Sequence, residues 1–196
     1  SSSKTFDQSY GYNIPIPSFT TFSSGNIDFC TIDTTTLLNS ENYKDITIIQ
    51  GTPKSETFIA SGDLYESFTI LNDSIAENII EVYVNGELWE KIDSIREAEE
   101  VTSKVYVVDN LNDFSGIDIS FGNDYFGKKL SLGDTVQIKY VETLGLDGNI
   151  GSSNIITTVK STLYDTEGDE VDVYCNNLDS IIGGDDIEDI ESIRAN

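Results

Sequence analysis

The sequence predicts a mainly β protein, built as one or two small antiparallel β domains, either separate or one inserted in the other, with a short C-terminal helix. Three observations lead there. Short runs rich in Val, Ile, Tyr and Phe recur between turn residues along most of the chain. The clearest run, Thr135–Val141, puts Val136, Ile138 and Tyr140 on one face and Gln137 and Lys139 on the other, the period of a half-buried strand. A helical period stands out only near the end, where Ile187, Ile190 and Ile193 recur every third residue.

Taken in order, residues 1–13 are polar and aromatic without a period and form an extended lead-in. Ile14-Pro15-Ile16-Pro17 reads as an edge or a connection, because neither proline can donate to a ladder. Phe19–Phe22 and Ile27–Ile32 read as strands joined by a turn over Ser23–Asn26, and Tyr43–Gln50 as a third, closed by Gly51-Thr52-Pro53. Residues 54–61 continue extended, and Gly62-Asp63 marks a break.

From Leu64 the expected strands are Glu66–Ile70, Ile79–Val84, Lys104–Val108, Ile117–Phe121 and Thr135–Val141. Asn85-Gly86, followed by Leu88-Trp89, is a hairpin signal of the type I′ kind, in which both central residues take positive φ. Ile95–Glu100 is the one short helix the block allows, capped by Asp93-Ser94, although carboxylates at its far end oppose the dipole. Strand pattern resumes over Asn154–Ser161 and Glu170–Tyr174, with a turn at Gly168. This restart leads us to expect an outer domain from 14–60 plus 150–178, an inserted domain at 64–142, and a helical segment starting at 185–196. Asp185, Asp186, Glu188 and Asp189 crowd the first turn of that segment, where free N–H groups and the dipole favour carboxylates.

Charge narrows the function classes. Eleven Lys and Arg against 35 Asp and Glu give a net charge of −24, interleaved with aromatic residues and not gathered in an acidic tail. Nucleic acid and anionic membrane surfaces are disfavoured as partners, since no basic stripe offsets the repulsion. No apolar run reaches the length of a membrane-spanning helix. Cys30 and Cys175 are too few for a disulfide scaffold and read as free thiols. The Ser1-Ser2-Ser3 start and the end at Asn196 lead us to expect a piece of a longer chain.

Between Phe121 and Ser152 lie six glycines, read as turns and close backbone approaches. A phosphate cradle is the rival reading, but no G-x-x-x-x-G-K-S/T or G-x-G-x-x-G leads from a strand into a helix. Phe121, Gly122, Gly127, Leu130, Gly133, Val136, Tyr140, Gly145 and Asn149 follow an order that resembles a segment of the Baseplate-J-like wedge proteins of contractile-tailed phages. That segment has an F-G turn, then G-x-x-L-x-x-G-x-x-V, a strand, and T-x-G-x-x-x-N. This chain has Tyr125 where the family often has glycine. Ile16-Pro17-x-x-Thr20-x-Phe22 and Gly183-Gly184 through Glu188 to Ile193-Arg194 extend the resemblance over most of the chain.

The resemblance implies a structural subunit of a virion tail baseplate, made in the host cytoplasm, which assembles with itself and with other wedge subunits. Gly148 joins the turn-forming set, and Ile187, Ile190 and Ile193 are the expected partner-facing stripe. No enzyme and no cofactor is expected. With no histidine in the chain, the usual nucleophilic triads and zinc sites lack a necessary residue. Asp185-Asp186-x-Glu188-Asp189 does not have the spacing of an EF-hand loop, and Asp109-Asn110-x-Asn112-Asp113 reads as a solvated turn. Trp89, Tyr83, Tyr106 and Tyr125 suit strand packing better than a sugar-stacking platform. The alternative kept open is an acidic β-module that binds a glycan or host surface.

Overall fold

A computed structural model describes residues 4–5, 12–112, 115–148, 151 and 153–177. The protein is mainly β, in several small sheets. In chain order the strands are β1 (Lys4–Thr5), β2 (Ile14–Ile16), β3 (Thr21–Ser24), β4 (Ile27–Thr31), β5 (Thr35–Leu37), β6 (Ile48–Gln50), β7 (Thr52–Ile59), β8 (Ser67–Ile70), β9 (Ile75–Val84), β10 (Glu87–Leu88), β11 (Glu90–Lys91), β12 (Val105–Asn110), β13 (Ile117–Phe121), β14 (Thr135–Glu142), β15 (Thr158–Val159), β16 (Leu163–Tyr164) and β17 (Glu170–Asp172). The chain divides into two compact units: an inner one, Lys54–Glu142, and an outer one made of Ser1–Pro53 and Thr143–Asn196.

In the inner unit, one sheet has the order β10-β9-β14-β7 and the other β11-β12-β13-β8. The alternation read in Thr135–Val141 aims Val136, Ile138 and Tyr140 inward, and antiparallel β9 sets Val84, Val82 and Ile80 opposite them. From the other sheet Ile70, Tyr106, Ile117, Ile119 and Phe121 complete a single core. Each such side chain, fully buried, contributes about 1.5–3 kcal/mol relative to exposure. Tyr106 crosses between the sheets and donates its hydroxyl proton to the Ile80 carbonyl at 2.7 Å, so its polar tip is satisfied inside the core. Asn85 (φ 53°) and Gly86 (φ 82°) form the two-residue hairpin turn, with Glu87 opposite Val84.

The outer unit is assembled from smaller pieces. Its sheets are β15-β3-β4-β6, the two-stranded pair β2-β5, and β1-β17-β16. Ile14, Ile16, Leu37, Leu163 and Val171 form one core cluster, and Phe22, Phe29 and Ile156 another. Both clusters join residues from the start and the end of the chain. Backbone and side chains stitch the same ends: Ser161 Oγ accepts from Thr21 N at 2.8 Å, and Lys160 pairs with Asp28.

Several expectations shift. Pro53 does not close a strand but lies inside β7, which it can do because β7 is a sheet edge with no need of that N–H. The ladder between β7 and β14 carries 54–59 into the inner unit, so the boundary falls after Pro53 and not after 60. Only Ile48–Gln50 of the expected Tyr43–Gln50 strand is paired, and the strand at Phe19 starts two residues later, because Phe19 takes φ 62° in a turn. Ile95–Glu97 is a single 3₁₀ turn, capped by Ser94, whose hydroxyl accepts from Arg96 N at 3.5 Å. Asn149, Gly183 and Gly184, and the helix expected from Asp185 with Ile187, Ile190 and Ile193, lie outside the described residues.

Candidate functional site

The residues singled out in sequence fall into two places. Phe121, Gly122, Gly127, Leu130, Gly133, Val136 and Tyr140 belong to the inner unit, while Gly145 and Gly148 belong to the outer. The stretch is therefore two constructions, one in each unit.

The first begins where β13 ends. Phe121 is buried, edge-on to both Phe68 (ring centroids 5.9 Å apart) and Trp89 (5.7 Å). Directly after it the chain folds back on itself. A Cβ on Gly122 would stand 2.3 Å from the carbonyl carbon of Gly127, so only glycine permits the approach. Asn123 holds the turn: its Oδ1 accepts from the backbone N–H of Tyr125 at 3.0 Å and of Phe126 at 2.9 Å. Asp124 takes the left-handed conformation (φ 62°), which Asp tolerates, and its Oδ1 accepts from Lys129 N at 3.0 Å. Tyr125 stands at an ordinary φ, since the strained position is the one before it. Gly127 (φ 68°) closes the loop against Val105, and Lys128 N donates to the Ser103 carbonyl at 2.8 Å. Tyr125 (74% exposed) and Phe126 (44%) project outward from this fixed frame.

Leu130, buried, anchors the chain before the turn into β14. Gly133 takes φ 88° there and donates its N–H to the Ala60 carbonyl at 2.9 Å. Asp134 Oδ1 accepts from Asn85 Nδ2 and Asn85 Oδ1 from Thr135 N, so this turn is tied to the hairpin turn. In the outer unit Gly145 (φ 55°) opens a 3₁₀ turn over Gly145–Gly148. Gln50 fills the space that a Cβ on Gly148 would need, 2.4 Å away, and its Oε1 accepts from Leu144 N at 2.8 Å. Gln50 had no signal in the sequence, because its partner lies far along the chain.

Burial holds the shifted thiols and phenols in their protonated forms. Burial pushes the Cys30 thiol up to about 11 and also raises Cys175, the reverse of what a nucleophile needs. Burial and then the Glu81 hydrogen bond push the Tyr83 hydroxyl up to about 12, while Lys139 Nζ lies 4.6 Å from the ring centroid. Burial and then the bond to Glu56 put Tyr140 at about 12 as well. Glu142 is held below its usual range by the Asn72 amide and then Lys54. Trp89 and Tyr106 are core residues, so with Tyr83 and Tyr125 they make no common stacking surface. Among the described residues no three His, Cys, Asp or Glu gather where they could hold a metal ion, and no helix is long and apolar enough to cross a membrane.

No protein-family model matches the chain, and no curated protein matches it in sequence.

Proposed function

We propose that this chain is a structural subunit of a phage-tail baseplate wedge, assembling with itself and with other wedge proteins in the virion. The observation that carries the reading is the motif run from Phe121 to Tyr140. Each of its marked positions builds architecture: Phe121, Leu130, Val136 and Tyr140 fill the core, and Gly122, Gly127 and Gly133 fix the backbone. Polar groups along the run brace turns, as at Asn123 and Asp124. The charge of −24 keeps a subunit soluble and disfavours contact between copies, so assembly depends on complementary partner surfaces.

The test is a pull-down of this chain co-expressed with other wedge proteins, run at low and high salt. Retention of wedge subunits, weakened by salt, is the expected result. A second reading, glycan or host-surface binding, is favoured by Tyr125 and Phe126, two exposed aromatics on a braced loop. Tight capture of one glycan on an array, with no wedge protein retained, would replace the first reading by the second. Turnover of a glycoside that disappears on changing one carboxylate to its amide would overturn both.

A further inference from the structure

The sheet edges of the inner unit are not alike. Strand β7 carries Pro53, Lys54 and Glu56, the residues that discourage another strand from pairing. Edge strands β10 and β11 are two residues each, and β11 is Glu90-Lys91. Strand β8, Ser67-Phe68-Thr69-Ile70, has neither proline nor charge, and it ends its sheet, paired on one side with β13. Its alternate backbone N–H and C=O groups therefore face away from the sheet. Phe68 is half-buried and stacked on Phe58 of β7 at 4.8 Å, so the core shows at this edge. Tyr65 (77% exposed) and Leu71 (76%) flank the strand on either side.

We infer that β8 is a docking edge that takes one extended segment of a basic partner chain as an added strand. Backbone pairing supplies the attachment, and alternate apolar side chains of the segment cover Phe68 and the neighbouring Phe58. The sign of the partner follows from the surroundings. Asp63 and Glu66 precede the strand, Asp73 follows it, and Asp118 sits opposite Thr69, which donates to its carboxylate at 2.8 Å. The nearby Lys129 ammonium donates to the Gly62 carbonyl. A second copy of this chain would bring another −24, so Lys or Arg on the incoming segment is what the edge selects. The assignment rests on the inner unit alone and not on the baseplate reading; either can fail while the other stands.

The experiment uses the full chain and three synthetic peptides: alternating valine and lysine, alternating valine and glutamate, and the lysine peptide with prolines replacing alternate valines. The expected result is binding of the first alone, with amide exchange slowed about tenfold or more across 67–71 and unchanged across 52–59. Thr69→Lys, on an exposed edge position, should weaken that binding about tenfold or more while leaving the melting temperature in place. Leu71→Lys should weaken it too and serves as the second variant. Equal binding of the proline peptide, protection mapped to another strand, or full binding by both variants would overturn the assignment. So would occupation of the edge by a second copy, seen as a concentration-dependent dimer protected at 67–71.

Discussion

Among the described residues, the inner unit gathers fourteen buried residues into one core between two four-stranded sheets, whereas the outer unit divides eight between two clusters under sheets of two to four short strands. The difference lies in how each core is made. Most inner strands are four to ten residues long and alternate, so one strand delivers three inward side chains, as β13 does with Ile117, Ile119 and Phe121. Outer strands are two to five residues long, and a cluster such as Ile14, Ile16, Leu37, Leu163 and Val171 exists only after distant segments meet. The first core closes within one continuous segment, Lys54–Glu142, whereas the second waits for the chain ends to come together.

Phe121→Ala should have the largest effect. It removes the ring that touches both Phe68 and Trp89, and about 3–5 kcal/mol of inner-unit stability should go with it, read by denaturant unfolding. Gly122→Val should act on the same transition by about 3 kcal/mol or more, because the atom it meets is backbone that cannot move aside. Phe29→Ala sharpens the comparison. Buried in the smaller outer cluster, it should shift an outer transition by about 3 kcal/mol while inner-unit amides keep their protection. If both units lost protection together, the two would be one cooperative body.

Gly133→Ala is milder. Its φ of 88° strains any side chain, but nothing lies in the way of the added atom, so about 1 kcal/mol is expected by thermal unfolding. The smallest effects concern pH. Tyr83 and Tyr140 have folded-state values raised from 10 to about 12, so their contribution is full below about 10 and is lost as pH rises toward 12. Glu142 is shifted down, so its contribution is present above the ordinary carboxylate value and is lost as pH falls through the lowered one. All three belong to the inner unit, so Tyr83→Phe should blunt its alkaline loss without altering the outer transition.

Legibility follows the same divide. Ile117–Phe121 could be read to the residue, and Asn85-Gly86 named its own turn, because period and turn chemistry are local properties. Strand Thr35–Leu37 was invisible: three residues with one buried side chain carry no period, and their pairing with Ile14–Ile16 arises from the fold. Pro53 misled for a related reason, since a proline excludes a central strand but not an edge, and edge status is set by topology. At the candidate site the turn glycines were legible as glycines. What each one makes room for, such as Gln50 against Gly148, was not, because the partner lies elsewhere in sequence.

Strand-resolved amide exchange on the full chain tests most directly whether the run from Phe121 to Tyr140 is the structural heart of the protein. The slowest amides should lie in β9, β12, β13 and β14, with those of β2, β5, β15 and β16 exchanging at least about tenfold faster. Equal protection in the two sets, or greater protection in the outer one, would contradict it.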